Sequence, residues 1–181
     1  MSIPVFLSHP TPFLKKQQDF LDRIKEYLSE RNFCPRTLGV TDFDLDQPLT
    51  AIRRMMLESN GVLVVAFRRY EIIKGRVKPN SDIEGIEGTE INNEWQTSPW
   101  CQIEPAMAFQ IGLPVLVLRE KGVIADGILE KGVLGTYLPE FDLAKSADTY
   151  LVSQEWKQLV STWEGQVRNV VKTKGHPPKL Y

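Results

Sequence analysis

The stretch GVLVVAF, residues 61–67, constrains the fold of this chain more than any other. It is an unbroken apolar run, rich in β-branched residues and too short for a typical helix, which predicts a strand buried on both faces. The runs IPVFL at residues 3–7 and PVLVL at 114–118 have the same character. Continuous rather than alternating hydrophobicity, with helical segments between the runs, predicts a doubly wound α/β fold. In that fold a parallel sheet is covered by helices on both faces.

Helical periodicity fills most of the chain between and after these runs. We predict amphipathic helices over residues 12–31 and 153–172, and further helices over residues 48–59 and 99–111. Pro48 suits the first turn of the second helix, while Ser98 and Gly112 suit the N-cap and the C-terminal cap of the third. In that third helix Trp100, Ile103, Met107 and Ile111 share one stripe.

The remaining segments carry little periodicity. Residues 33–38 form a weaker extended segment, and residues 70–97 form a long, charged excursion with room for a short hairpin. Residues 121–149 are loop-like with one helical turn, and GHPPKLY is a tail. The length of 181 residues suits one domain, 1–181, with an insertion at about 70–97.

Charge and cysteine content limit the class of partner and the cellular compartment that we expect for this chain. The 22 Lys and Arg residues against 23 Asp and Glu give a net charge of -1, without the basic field that nucleic acid or an anionic bilayer would require. Cys34 and Cys101 match neither a disulfide framework nor a zinc spacing, so we expect two buried thiols in a reducing compartment. Met1 leads into IPVFL without a signal-peptide pattern. These features predict a cytoplasmic protein that binds neither nucleic acid nor a membrane.

Familiar nucleotide and metal signatures are missing. The first strand ends in SHPTPF, which contains neither the dinucleotide glycine pattern nor a phosphate loop. The loop TDFDLDQ alternates three aspartates, but Gln47 and Arg53 stand where a calcium loop needs glycine and glutamate. We therefore expect that this loop holds no metal. Its aspartates should line the solvated side while Phe43 and Leu45 face inward, and Asp46 is the candidate for contact with a ligand.

His9 follows the first strand, at the sheet edge where doubly wound folds collect ligands. It is a candidate for substrate contact, and a partly exposed loop histidine beside two prolines, Pro10 and Pro12, is the equally good alternative. With His9 and His176 as the histidines of the chain and no nucleophile elbow, a serine or cysteine triad is disfavoured. The acidic run formed by Glu84, Glu87, Glu90 and Glu94 is typical of a solvated face.

The stretch WCQIEP, residues 100–105, is the strongest candidate for chemistry. A separation of four places Trp100 and Glu104 on one helical face, where the indole can shield the carboxylate from water. Pro105 cannot donate to the carbonyl group of Cys101, so we expect the helix to bend or loosen at the carboxylate. The alternative is a core tryptophan beside a glutamate that reaches solvent, and the motif alone leaves both interpretations open.

Three segments together, VFLSH, LTAIRRMMLESNGVLVVAF and SPWCQIEPAMAFQIGLPVLVL, resemble a TIR domain over roughly residues 3–120. The resemblance implies a flavodoxin-like parallel sheet. In catalytic TIR domains the glutamate of the W-x-x-x-E helix cleaves NAD between nicotinamide and ribose, and that position is Glu104 here. It also implies that Ser8 and His9 contact the nucleotide, with Asp46 and Trp100 as further contacts, that residues 39–48 form a flexible loop, and that NAD is a substrate rather than a cofactor.

The same resemblance extends to stand-alone bacterial TIR proteins of antiphage systems, which convert NAD into a signal for a separate effector and assemble through TIR–TIR contacts. The chain departs from the pattern at His9-Pro10, at Pro105 and in the length of residues 70–97. Two alternatives stay open: a non-enzymatic TIR adaptor, and an enzyme similar to nucleoside 2-deoxyribosyltransferases with Glu104 as nucleophile. Hydrolysis, cyclisation and transfer are not distinguished by the sequence.

Overall fold

A computed structural model of the chain describes residues 2–134 and 138–173. Its strands are β1 (Ile3–Ser8), β2 (Phe33–Arg36), β3 (Val62–Ala66), β4 (Tyr70–Val77), β5 (Thr89–Gln96), β6 (Val115–Glu120) and β7 (Glu140–Phe141). Within the described ranges, five of these strands form a parallel sheet in the order β2-β1-β3-β6-β7. Counted along the sheet's own strands this is the 2-1-3-4-5 order of flavodoxin-like folds.

Each apolar run of the sequence forms a strand of this sheet. β3 lies between β1 and β6, and all of its residues are buried. Its Val62, Val64 and Ala66 face one side of the sheet and its Leu63 and Val65 face the other. This two-sided burial is the reason why the run is continuous rather than alternating.

Helices cover both faces of the sheet. They are α1 (Lys15–Glu30), α2 (Pro48–Glu58), α3 (Trp100–Gln110), α4 (Ala147–Leu151) and α5 (Gln154–Thr173). One core joins α1, α4 and α5 to the sheet around Phe20 and Trp156, and the opposite core joins α2 and α3 around Met56 and Cys101. The predicted doubly wound α/β fold with helices on both faces is therefore confirmed. No helix in the described part of the chain is long and apolar enough to cross a bilayer.

The first helix begins three residues later than we predicted. The Gln17 side chain accepts hydrogen bonds from the main-chain N–H groups of Phe13 and Leu14, and Leu14 is extended. This cap ends the preceding loop, so Phe13 and Leu14 are exposed rather than on the apolar side of the helix. The other helices begin and end within one or two residues of the prediction.

The excursion at 70–97 is an antiparallel hairpin. β4 and β5 pair from Tyr70 opposite Gln96 to Val77 opposite Thr89, and most of their side chains are exposed. At its base, Trp95 N–H donates to the carbonyl of Gly122 at 3.1 Å, which ties the hairpin to the segment after β6. The acidic run on this hairpin is solvated, as predicted for Glu84, Glu87 and Glu90, while Glu94 is half-buried.

Two further predictions, one for the cysteines and one for residues 121–149, are confirmed only in part. Cys101 is buried, but Cys34 is exposed, because β2 is an edge strand and its residue 34 side chain is not covered by a helix. The segment 121–149 contains more than one helical turn: a 3-10 turn at Gly127–Leu129, the two-residue strand β7 and the start of α4. The predicted tail GHPPKLY lies outside the described residues.

Candidate active site

A pocket opens at the carboxyl end of β1, the strand that is paired with β3 in the sheet. The chain leaves β1 toward α1 on one face of the sheet and leaves β3 toward α3 on the other face, so the two connections diverge there. Doubly wound folds bind ligands at such a switch point. The pocket has a volume of about 260 Å³. Its walls are formed by the end of β1, the residue after it, the segment after β2, and the helices α2 and α3. These residues are Phe6, Leu7, Ser8, His9, Thr37, Leu38, Pro48, Ile52, Trp100 and Glu104.

Glu104 is the buried carboxylate of this pocket. Its exposed fraction is 8%, and the Ser8 hydroxyl donates a hydrogen bond to its Oε2. Desolvation raises the pKa of Glu104 from 4.5 to about 7, and the hydrogen bond from Ser8 opposes this rise. Glu104 therefore changes its charge near neutral pH, unlike an ordinary surface glutamate.

The packing of α3 explains why a carboxylate is buried. Cys101, Glu104, Pro105 and Ala108 form the buried face of the helix, which packs on β1 and β3. The apolar stripe that contains Trp100 and Ile103 is instead partly exposed. Residues three and four apart share a face, so the burial of Cys101 and Ala108 draws Glu104 inward with them.

Trp100 and Glu104 line the same pocket from the first turn of α3. Trp100 retains 37% of its accessible surface, whereas Glu104 retains 8%. Both side chains therefore reach one pocket, with the indole on its outer side and the carboxylate on its inner side. The helix begins at Trp100, one residue after the predicted start, and the Ser98 Oγ accepts the Trp100 N–H at 3.3 Å.

His9 lies directly after β1 and lines the pocket beside Ser8. Its Nδ1 is 2.9 Å from the carbonyl oxygen of Pro10, which fixes Nδ1 as the protonated nitrogen when the ring is neutral. Burial lowers the pKa of His9, so the neutral ring predominates at neutral pH. Its Nε2 has no hydrogen-bond partner among the residues that the structure describes.

Asp46 lies outside the pocket lining. Its side chain is exposed and pairs with Arg54 of α2, and its N–H donates to Asp44 Oδ1 at 2.9 Å. The structure therefore brings Ser8, His9, Trp100 and Glu104 together and leaves Asp46 apart from them. Within the described residues, no group of three or more His, Cys, Asp or Glu side chains is arranged to hold a metal ion.

The loop before α2 is oriented opposite to our prediction. Phe43 is 83% exposed and Leu45 is fully exposed, so the expectation that both face inward is wrong. The physical reason is that the aspartates of the loop turn toward cations of the domain: Asp42 pairs with Arg36, and Asp44 pairs with Arg54. Alternation along the loop then places the apolar side chains in solvent.

Two further residues were not predicted from the sequence: Thr37, which lines the pocket, and Arg69, which contacts Ser98 before α3. Thr37 lines the pocket, and its hydroxyl donates to the Leu7 carbonyl at 2.8 Å. Arg69, after β3, donates to Ser98 Oγ at 3.0 Å and so connects the hairpin to the start of α3. The position of each residue just after a strand was the available signal, because carboxyl ends of parallel strands share one edge.

Comparison with known proteins adds one similarity. No protein-family model matches the chain, and no curated protein matches it. Among solved structures, the TIR domains of the activated Roq1 resistosome, which directly recognizes the pathogen effector XopQ, align over 97% of this chain and 87% of that chain. The sequence identity is 15% and the TM-score is 0.42. A similarity this weak assigns no function to the chain.

Proposed function

We propose that the chain cleaves the bond between nicotinamide and ribose in NAD, with Glu104 as the catalytic residue. The observation that carries this proposal is the burial of Glu104 in a pocket at the switch point of the sheet, with a neutral hydroxyl as its hydrogen-bond donor. The resemblance of its W-x-x-x-E helix to that of catalytic TIR domains supports the same reaction.

A lone carboxylate suits the chemistry of this bond. When the bond breaks, its electron pair goes to the pyridinium nitrogen, so nicotinamide leaves as a neutral molecule and requires no general acid. The ribosyl carbon that remains has oxocarbenium character, and an adjacent carboxylate stabilises it or attacks it transiently. Water or a hydroxyl group then adds at that carbon and loses a proton, which gives ADP-ribose or a cyclised form.

Burial makes the carboxylate more effective in this role. A charge in a pocket of low effective dielectric interacts more strongly with a developing cation than a charge in water does. The positive pyridinium ring also favours the ionised form of Glu104, whose pKa is about 7 before substrate enters. Catalysis therefore requires the ionised form and rises with pH through the pKa of Glu104.

The size of the pocket indicates which part of the substrate it takes. Pockets that enclose small organic ligands are typically about 300 to 1,000 Å³ in volume. At about 260 Å³, this pocket suits the nicotinamide and its ribose, with the rest of the dinucleotide outside. Ser8, His9 and Trp100 line the part that would hold the nicotinamide riboside.

The second candidate function is that of a non-enzymatic adaptor that acts by self-assembly. An apolar groove of about 570 Å³ lies between α2 and α3, lined by residues such as Met56, Ile103 and Met107. The exposed Phe109 lies on the same helix as Ile103. Exposed apolar surface favours protein contacts, which suits homotypic assembly with or without catalysis. In the enzymatic case the product would act on a separate effector, as in antiphage signalling.

Incubation of the purified protein with NAD tests the proposal. NAD is supplied with and without a molecular crowder that promotes assembly, and products are identified by mass spectrometry. We expect nicotinamide release by the wild type and by Glu84→Gln, which alters an exposed hairpin residue, and at least a hundredfold slower release by Glu104→Gln.

Other outcomes would assign the chain to the alternatives. NAD that stays intact under every condition would support the adaptor. Base exchange on nucleosides through a sugar adduct on Glu104, without NAD consumption, would support an enzyme of the deoxyribosyltransferase type.

A further inference from the structure

The two oxygens of the Glu104 carboxylate have different surroundings. Oε2 accepts the hydrogen bond from the Ser8 hydroxyl. Oε1 receives no hydrogen bond from any residue in the described ranges, although the Glu104 side chain lines the pocket. The carboxylate is therefore asymmetric before any substrate enters.

Ser8 is well placed to impose this asymmetry. It is the last residue of β1, its exposed fraction is 1%, and it is paired with Val64 of the central strand β3. A side chain on a buried central strand is held more rigidly than one on a loop. The terminal torsion of a glutamate is broad and roughly two-fold, so that without an anchor its two oxygens exchange places at little cost.

We propose that Ser8 is a positioning residue, whose hydroxyl holds Oε2 of Glu104 and thereby presents Oε1 to the ribosyl carbon of the substrate. This role rests on the function proposed above, because it assigns Oε1 to the substrate. It differs from the direct nucleotide contact that the resemblance implies for Ser8. Ser8 acts here through Glu104, and it stabilises the ionised form because a hydroxyl donates more strongly to a carboxylate than to a carboxylic acid.

The other elements around Glu104 offer few competing charges. His9, which follows β1, and the Cys101 thiol on α3 are the titratable neighbours, and burial raises the pKa of Cys101 to about 12. The pocket residues from the segment after β2 and from α2 are Thr37, Leu38, Pro48 and Ile52, and none of them titrates. Between pH 6.5, above which His9 is neutral, and pH 9, the charge of Glu104 therefore depends on its burial and on Ser8.

A direct titration of Glu104 tests the role without any assay of activity. The carboxyl carbon of Glu104, assigned by comparison with Glu104→Gln, is followed by 13C NMR from pH 4 to pH 10. We expect a midpoint near 7 in the wild type and a midpoint higher by about one pH unit in Ser8→Ala. Ser8→Cys keeps the shape with a weaker donor and should fall between the two.

Thr37→Val is the matched control. It removes another buried hydroxyl from the same pocket, one that donates to a main-chain carbonyl rather than to Glu104. We expect it to leave the midpoint of Glu104 unchanged. An equal midpoint in wild type and Ser8→Ala, or an equal shift in Thr37→Val and Ser8→Ala, would overturn the positioning role.

The pH dependence of nicotinamide release adds a readout that a direct substrate contact would not give. Because Ser8 stabilises the ionised form of Glu104 as well as its orientation, the deficit of Ser8→Ala at low NAD concentration has two parts. The part from ionisation is about fivefold at pH 7 and disappears toward pH 9, as both proteins become ionised, and the part from lost orientation remains. A deficit that is constant across this range would contradict the role. Absence of release in the wild type refutes the proposed function, while the NMR midpoints still decide whether Ser8 controls Glu104.

Discussion

Two buried glutamates at the same edge of the sheet have opposite surroundings. Glu120, the last residue of β6, is 3% exposed, and Glu104 is 8% exposed. Glu120 accepts the N–H of Arg68 at 2.9 Å and the side-chain amide of Gln17 at 3.2 Å, with the Arg68 guanidinium 3.6 Å from its second oxygen. Glu104 accepts one hydrogen bond, from Ser8, among the residues described.

The difference distinguishes a carboxylate that stabilises the fold from one that can contact a ligand. Burial raises the pKa of both groups, but at Glu120 a main-chain N–H, an amide and a cation oppose the rise. Glu120 also lies outside the pocket lining, whereas Glu104 lies in it. A buried polar group whose partners are complete stabilises the fold, and an incompletely paired one is available to a ligand.

The largest expected effect is the loss of catalysis in Glu104→Gln. Removing one preorganised electrostatic group from an enzyme costs about 3 to 4 kcal/mol in the transition state, on the order of a hundred- to a thousandfold in rate. We expect this loss in the rate of nicotinamide release from NAD at saturating substrate, measured alongside circular dichroism to show that the variant is folded. Glu120→Gln should lose much less, and equal losses at the two positions would erase the distinction between them.

The same variant should be more stable than the wild type at alkaline pH. The pKa of Glu104 is raised in the folded state, so the folded protein binds more protons than the unfolded chain between pH 4.5 and about 7. Stability from this group is therefore present below pH 4.5 and lost as the pH rises through about 7, a difference of about 3 kcal/mol.

Urea unfolding measures this effect. Glu104→Gln should have a higher free energy of unfolding than the wild type at pH 8.5, and a similar one at pH 4.5. A lower free energy of unfolding for Glu104→Gln at pH 8.5 would mean that the ionised carboxylate is fully compensated in the fold.

Glu120→Ala should destabilise the fold. The change leaves the buried N–H of Arg68 without its acceptor, and it leaves the Gln17 amide with one acceptor, the Arg68 carbonyl, instead of two. We expect a loss of about 2 kcal/mol. The measurement is urea unfolding at pH 7, with Glu84→Gln as reference. A stability equal to that of the wild type would place Glu120 with Glu104 as a group that the fold does not need.

The smallest effect is expected at the surface. Glu84 lies on the exposed hairpin, and Glu84→Gln should change the free energy of unfolding by less than about 0.5 kcal/mol at any pH between 5 and 8.5. Thermal or urea unfolding provides the check. A pH-dependent difference at Glu84 would show that the buried positions are not special.

Much of this fold could be predicted from the sequence, because its apolar runs are continuous and its helical segments are long enough to show a clear period. GVLVVAF and PVLVL specify buried parallel strands, and Pro48 and Gly112 mark helix ends. The strand β7 was not predicted because it consists of two residues, Glu140 and Phe141, which are too few to show a hydrophobic pattern. Cys34 was misjudged because its burial depends on being at a sheet edge, which spacing does not reveal.

The site was predicted in part, because local spacing shows which residues share a helical face and which follow a strand. The W-x-x-x-E spacing places Trp100 and Glu104 on one face, and a position after a parallel strand places His9 at the right edge. The hydrogen bond between Ser8 and Glu104 joins residues 96 positions apart, so local patterns cannot show it. The outward orientation of Phe43 likewise follows from ion pairs that involve Arg36 and Arg54.

The pH dependence of nicotinamide release from NAD tests the central claim most directly. At NAD concentrations well below KM, where the ionisation of the free enzyme governs the rate, we expect release by the wild type to rise with pH to a plateau, with a midpoint near the Glu104 pKa of about 7. We expect Glu104→Gln to show almost no release at any pH. Equal release by the wild type and by folded Glu104→Gln would contradict the account.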